Sequence, residues 1–364
     1  MRVVPPNDLQ RRAPIRRSNQ RGYVLLLVIA SLTAIAWVAG IFATRIDALR
    51  TQALSLIEDS QSQVQARSAM AAGLYWVSTR QVGIGGFGDD RAVPAVWADG
   101  RTYSLPNGGT MDLQDERGLL SLYEPERMML SRFLRAMRVP QSDVDSFVDV
   151  LLDYQDADSL VRLNGAEAPQ YAQLGLMPPA NEWLRSTSEL VLMPRWRDDP
   201  GLLASLVTQL SVNRQAKLNP NVAPMAVIRA HLPWATPEQL GVFETIRKQV
   251  PFQSLAHLKA ATGISLDDER YVAHVSNELR IRAFGARAHR GLQYNLTLTP
   301  GGLEAPWQVA TTQWVVRTPP TEAPLDSATP FPLAILDLAS RTVAPPGGDA
   351  PLAAMPPTRR ASGR

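Results

Sequence analysis

Four carboxylates crowd one short stretch of this 364-residue chain: Asp153, Asp156 and Asp158, then Glu167 beyond an Asn164-Gly165 turn. Oxygen donors at that spacing would wrap a hard cation such as calcium. The stretch is not an EF-hand, because it lacks the D-x-D-x-D-G run and the glutamate at the twelfth position. The same carboxylates would serve equally as helix caps and as acceptors for loop amides. Residue types alone leave both readings open.

Other chemistry is sparse. The four histidines, His231, His257, His274 and His289, have no partners at metal-ligand spacing, and no H-E-x-x-H occurs. No G-x-S-x-G nucleophile elbow is present, and without cysteine there is neither a disulfide nor a thiolate. The glycines of GIGGFGDD, within residues 80–92, are not followed by Lys-Ser/Thr, so they form no phosphate loop and read as a turn region. The expectation is a protein that is not an enzyme and needs no cofactor, with calcium at those carboxylates as the one open reading. A periplasmic enzyme with a site assembled from distant residues ranks last.

PFQSLAHLKAATGIS, residues 251–265, has the pattern of a helix-hairpin-helix. That motif holds DNA phosphates on the amides of a G-h-G turn. Here the turn is Gly263-Ile264-Ser265, with one glycine, and the only lysines near it are Lys248 and Lys259. A membrane-anchored DNA receptor of a competence type is therefore the competing function. Charge opposes it. Residues 1–22 carry six arginines and one acid, a charge of +5; the whole chain is +3, which leaves −2 for the rest. An acidic body is a poor partner for a polyanion, so no nucleic acid is expected.

The positioning elements begin at the N-terminus. Tyr23 to Ala43 is a 21-residue stretch without a charge. As a helix it spans about 30 Å, the hydrocarbon thickness of a bilayer. Arg11, Arg12, Arg16, Arg17 and Arg21 precede it, so the positive-inside rule places the leader in the cytoplasm and the body across the membrane. The apolar core is too long for a cleaved secretory signal. Ile46, Leu49, Ala53, Leu56, Ile57, Val64, Ala71, Leu74 and Val77 continue a helical pattern to Thr79.

Beyond residue 92, strands are predicted at 101–105 and 110–114 around a Pro-Asn-Gly-Gly turn, with a third at 119–123. Helical spacing then takes over. It covers Met129–Met137, Val144–Leu152 after a candidate cap at Ser142, Leu203–Leu210, Pro237–Lys248, Ser254–Thr262 and a last helix from Asp267; Pro- and Gly-rich connectors occupy 159–200. Strands return at 279–288, 294–299 and 308–316. The fold class is therefore α+β: a long N-terminal transmembrane helix and an antiparallel sheet, interrupted by a large helical insertion. The domains are 1–22 leader, 23–43 transmembrane helix, 44–123 helix and first strands, 124–276 inserted helical domain, 277–316 returning strands and 317–364 a Pro-rich tail. Ten prolines in those last 48 residues predict disorder.

A basic leader ending in Gly22 against a hydrophobic helix resembles the type IV prepilin signal, which implies cleavage between Gly22 and Tyr23. Most pilins have Glu at the fifth mature position, where this chain has Leu27. Four segments carry a more specific likeness: QDERGLLSL at 114–122, LLDYQDADSLVRLNGAE at 151–167, PPANEWLRSTSEL at 178–190 and LNPNVAPMAVIRA at 218–230. In order and content they resemble the general secretion pathway protein K (GspK) family, the large minor pseudopilins of type II secretion, over about residues 15–316. Tyr154 departs from the family's usual Trp, Val222 from its Thr and Tyr123 from its Asn.

The resemblance implies a pilin-like fold with a SAM-like or helix-hairpin-helix-like insertion. It implies an inner-membrane, single-pass protein with its body in the periplasm. The implied partners are the minor pseudopilins GspI, GspJ and GspH, the major pseudopilin fibre and the prepilin peptidase. The implied function is priming and capping the pseudopilus tip for export of folded proteins across the outer membrane. A leading subunit has no predecessor whose terminal amine would need a glutamate, and Leu27 agrees with that. About 150 inserted residues would fit only where no further layer lies above.

Overall fold

The computed structural model describes residues 21–90, 93–214, 217–286, 288–302, 305–317 and 328–332. The leader up to residue 20 and most of the Pro-rich tail lie outside the described residues. The chain divides into two units, Met1–Gln61 and Ser62–Arg364.

Helix α1 (Arg21–Thr79) runs through the uncharged stretch without a proline. In the first unit its apolar side chains, from Tyr23 to Ile57, are exposed. It is the one helix among the described residues long and apolar enough to cross a membrane. In the second unit its buried face is Ala66, Ala69, Met70, Ala72, Gly73, Trp76 and Val77, while Val64 is exposed. The expected stripe through Val64, Ala71 and Leu74 is thus displaced around the helix. Small residues cause the shift: a Cβ on Gly73 would lie 2.8 Å from Met111 Cε, so the helix backbone settles closely onto the strands beneath it.

After Thr79 the chain forms β1 (Gln81–Val82), β2 (Gly86–Gly88) and β3 (Val96–Trp97), a small antiparallel sheet. The glycine-rich segment was expected to be loop alone. Gly86 instead lets β2 meet β3 where any Cβ would strike Val96 O at 2.1 Å. The hairpin β4 (Asp99–Ser104) and β5 (Thr110–Asp115) follows the predicted turn, with Gly108 at φ +81°.

A 3-10 turn, Glu116–Gly118, and β6 (Leu120–Ser121) lead into α2 (Arg127–Ala136), α3 (Gln141–Gln155) and α4 (Ala168–Gln173). A second 3-10 turn, Thr187–Leu192, precedes α5 (Pro200–Val207), β7 (Leu210–Ser211), α6 (Met225–His231), α7 (Pro237–Gln249) and α8 (Leu255–Thr262). Last come β8 (Glu278–Phe284), β9 (Arg290–Leu298), β10 (Trp307–Val316) and β11 (Thr329–Pro330). The main sheet has the order β10-β9-β8-β5-β4-β11, antiparallel except for β11 on β4. Strands β5 and β8 are neighbours, so everything from Glu116 to Asn277 enters and leaves the sheet at one place.

Several expectations are corrected. The third strand at 119–123 shortens to β6, which pairs in parallel with β7 and not with the main sheet. Helix α3 starts at Gln141 behind Pro140, and Ser142 bonds to Asp143 instead of capping. The connectors at 159–200 contain α4 and a 3-10 turn, each built on a capping box. No helix starts at Asp267, where the chain turns and bridges Leu218 to Tyr271. The segment after Gly263 therefore lacks the helix N-terminus that a phosphate-holding hairpin needs. Within the Pro-rich tail, Thr329–Phe331 is ordered: Phe331 N donates to Ser104 O at 2.9 Å, and the buried ring meets Trp76 and Tyr103 edge-on at 5.3 and 5.9 Å.

Two hydrophobic cores result. One joins the end of α1 to the main sheet and holds Met111, Leu113, Val222, Ile281 and Phe331. The other lies among the helices, around Phe133, Phe147, Tyr171, Trp196, Phe243 and Phe252. Apolar burial of this kind stabilises by about 25 cal/mol per Å².

Candidate functional site

Helix α3 places Asp149, Asp153 and Asp156 three and four residues apart, hence on one face. Asp145 and Asp149 face Arg127 of α2. Asp153, fully buried, accepts from Arg162 Nη1 at 2.5 Å and from the Arg162 amide at 3.2 Å. The same guanidinium nitrogen contacts Asp156. Asp158 stands apart and accepts from Leu160 N at 2.8 Å, while Asn181 Nδ2 donates to Asp158 O at 3.1 Å. Glu167 is the N-cap of α4, and Gln170 Oε1 accepts from its amide at 3.0 Å. Gly165 is obligatory, since a Cβ there would lie 1.9 Å from Asp153 Oδ2.

The structure thus brings Asp153 and Asp156 together around Arg162 and leaves Asp158 at the rim. Among the described residues no three acidic or histidine side chains converge as ligands of one ion. Arg162 is the residue that sequence reasoning missed; a lone base inside an acidic loop was the available signal. Charge and hydrogen bonding are nevertheless not balanced. Glu167 Oε1 and Asp156 Oδ1 are buried without a partner. Burial, then the charges of Asp153, Asp156 and Asp158, push the Glu167 pKa up. Two carboxylates, Asp153 and Asp156, share one guanidinium. The unpaired Asp156 Oδ1 and Glu167 Oε1 are the oxygens that a hard cation would take, beside the Arg162-bound Asp153. Such an ion would supply structural cross-linking between α3 and α4.

The other motif segments form buried polar knots. Asp115 accepts from Ser276 Oγ at 2.5 Å, Ser276 N at 3.1 Å and Arg117 N at 3.1 Å. Asn221 bonds Phe252 on both its amide and its carbonyl, and Ala273 O at 2.9 Å. Tyr154 Oη donates to Glu189, whose other oxygen accepts from the amides of Arg185 and Ser186. Asn219 Nδ2 donates to Asp115 Oδ2 at 3.4 Å and Gln114 Nε2 to Val222 O at 3.1 Å, so the first segment meets the fourth; the Tyr154–Glu189 bond joins the second to the third.

Two groups in these regions titrate in opposite senses. Burial, aided by Arg270 and Arg132, lowers the His231 pKa to about 4, and burial raises that of Asp115 to about 6. His231 is unprotonated in the fold where the unfolded chain would bind a proton, so it costs stability as pH falls from about 6.5 to about 4. Asp115 holds a proton that the unfolded chain releases, so it adds stability as pH falls through about 6. His231→Gln should remove the first effect and leave the second. Urea midpoints from pH 7 to 4 should then fall less steeply for the variant than for the parent. Parallel profiles would assign the titration elsewhere.

Residues 112–212 match the family model for type II secretion system protein K, as the first domain of that family. Over that stretch the chain is similar to protein K. The matched stretch runs from β5 through the acidic loop to β7. Among solved structures, the GspK-GspI-GspJ complex from enterotoxigenic Escherichia coli is similar at 16% identity with a TM-score of 0.47, covering 75% of this chain and 99% of that one. No curated protein matches.

Proposed function

We propose that this protein primes and caps the tip of the type II secretion pseudopilus, in the export of folded proteins from the periplasm across the outer membrane. The match of residues 112–212 to protein K carries this reading, and the apolar N-terminal helix supports it. The leader is cytoplasmic, the first part of α1 lies in the inner membrane and the body is periplasmic. GspI and GspJ are the immediate partners, with GspH and the major pseudopilin fibre below. In a fibre the apolar part of α1 exchanges lipid for the helices of its neighbours, and a heterologous, head-to-tail assembly can start only from a subunit that needs no predecessor. Leu27 brings no carboxylate to be neutralised on that transfer.

The prepilin peptidase is expected to cut between Gly22 and Tyr23. N-terminal sequencing of the membrane-extracted protein should begin at Tyr23, and a bulky residue at position 22 should leave the leader attached. An intact Met1 terminus in a strain with active peptidase would end this reading. Leu27→Glu tests the tip role. It adds an acid to the span, at a cost of about 2.5–3.5 kcal/mol for an acid at a helix centre and less near an end. Pseudopilus number should stay equal or fall; a clear rise would place this subunit inside the fibre.

A further inference from the structure

We infer that two adjoining cavities in the body form a docking groove for an acidic peptide segment of a protein partner. The first, about 610 Å³, is lined by Arg117, Arg214, Lys217, His274 and, as its one acid, Glu278. Glu278 accepts from Asn213 Nδ2 at 2.9 Å. The bases are not consumed by the fold. Among the described residues the Arg117 guanidinium has no carboxylate partner, and Lys217 Nζ donates to the Asp268 carbonyl and to no carboxylate. Arg214 Cζ sits over the Tyr123 ring, 4.4 Å from its centroid. That stacking fixes the guanidinium without neutralising it and leaves its edge donors free for a carboxylate. A cluster of bases on a body of charge −2 is not general surface polarity.

Arg214 also lines the second cavity, about 710 Å³, with Tyr123, Trp183, Leu184 and Val212; its two acids, Asp156 and Glu182, are paired with Arg162 and Arg185. The Tyr123 and Trp183 rings lie 4.8 Å apart there. Gln155, 5% exposed, lines this cavity too, and its Oε1 has no partner; nor has Asn181 Oδ1. Unpaired buried carbonyl oxygens are rare in native folds and suit the N–H donors of a peptide backbone. The groove thus offers acceptors and aromatic surface at one end and cationic donors at the other. A segment with an apolar side chain next to a carboxylate satisfies both. A nucleic acid would meet the right charge in one small cavity and repulsion from the acidic body beyond it. This reading is independent of the tip role, because it concerns the purified chain alone.

The test uses the full-length protein in detergent micelles, with intrinsic tryptophan fluorescence reporting on Trp183. The probe is a blocked synthetic peptide with leucine beside aspartate and glutamate. Its amide counterpart, inorganic phosphate and a single-stranded oligonucleotide are the comparisons. The acidic peptide should bind at least tenfold more tightly than the amide form, and more weakly as salt rises. Arg117→Ala with Arg214→Ala should reduce that affinity at least tenfold. Lys217→Ala with His274→Ala, at exposed positions, should reduce it in a protein of unchanged melting temperature. Equal binding of the amide peptide, binding unaltered in both double variants, or tighter binding of phosphate or oligonucleotide would overturn the inference.

Discussion

Arg280→Met should lower the stability of the folded body by about 3–5 kcal/mol, the range for removing one partner of a buried ion pair. Arg280 and Glu116 are 2% and 1% exposed. Arg280 Nε donates to Glu116 Oε1 at 2.9 Å, and its Nη2 donates to Leu210 O at 2.7 Å. Ser211 Oγ completes the shell of Glu116. The pair joins β8 of the main sheet to β7, at the place where the inserted chain leaves and returns. Methionine would fill the volume of Arg280 but strand a buried carboxylate. Glu116→Gln with Arg280→Met removes both charges and should recover a large part of the loss. Chemical denaturation of the full-length protein in micelles reads both. A single variant within 1 kcal/mol of the parent would mean that water reaches the pair.

Calcium should raise the melting temperature of the protein, and chelator should reverse the rise. We propose the ion because Glu167 Oε1 and Asp156 Oδ1 are buried without partners and two carboxylates already share Arg162. Binding to the native state alone stabilises by about 2.7 kcal/mol at a hundredfold excess over Kd. Asp156→Asn should abolish the response. Arg162→Ala should keep it and sharpen the dependence, since the variant lacks the competing cation and leaves more charge unbalanced without the metal. A melting temperature indifferent to calcium would leave the carboxylates as partners of Arg162 and of loop amides only.

Much of this protein was legible in its residues. The uncharged run from Tyr23 to Ala43 reads as one helix of bilayer length, and α1 runs through it. Pro106-Asn107-Gly108-Gly109 between alternating segments requires a hairpin, and β4–β5 is that hairpin. Strands β8, β9 and β10 followed from β-branched and aromatic residues between glycine and proline signals. The protein K likeness rested on short motifs whose polar residues proved to be buried knots, and such knots tolerate few alternatives.

Only the tertiary structure decided the rest. The buried face of α1 runs through Ala66, Ala69 and Gly73, which carry little apolar signal; close approach to β5 selects them for their small size. Thr329–Phe331 reads as part of a proline-rich tail, yet Phe331 finds a pocket beside Trp76 and Tyr103, and that contact outweighs local composition. Arg162 sits nine positions from Asp153, and no local rule aims its guanidinium back at α3. Periodicity reports a residue's neighbours along one element. Which element covers it, and which charge answers it, depends on packing between segments far apart in the chain.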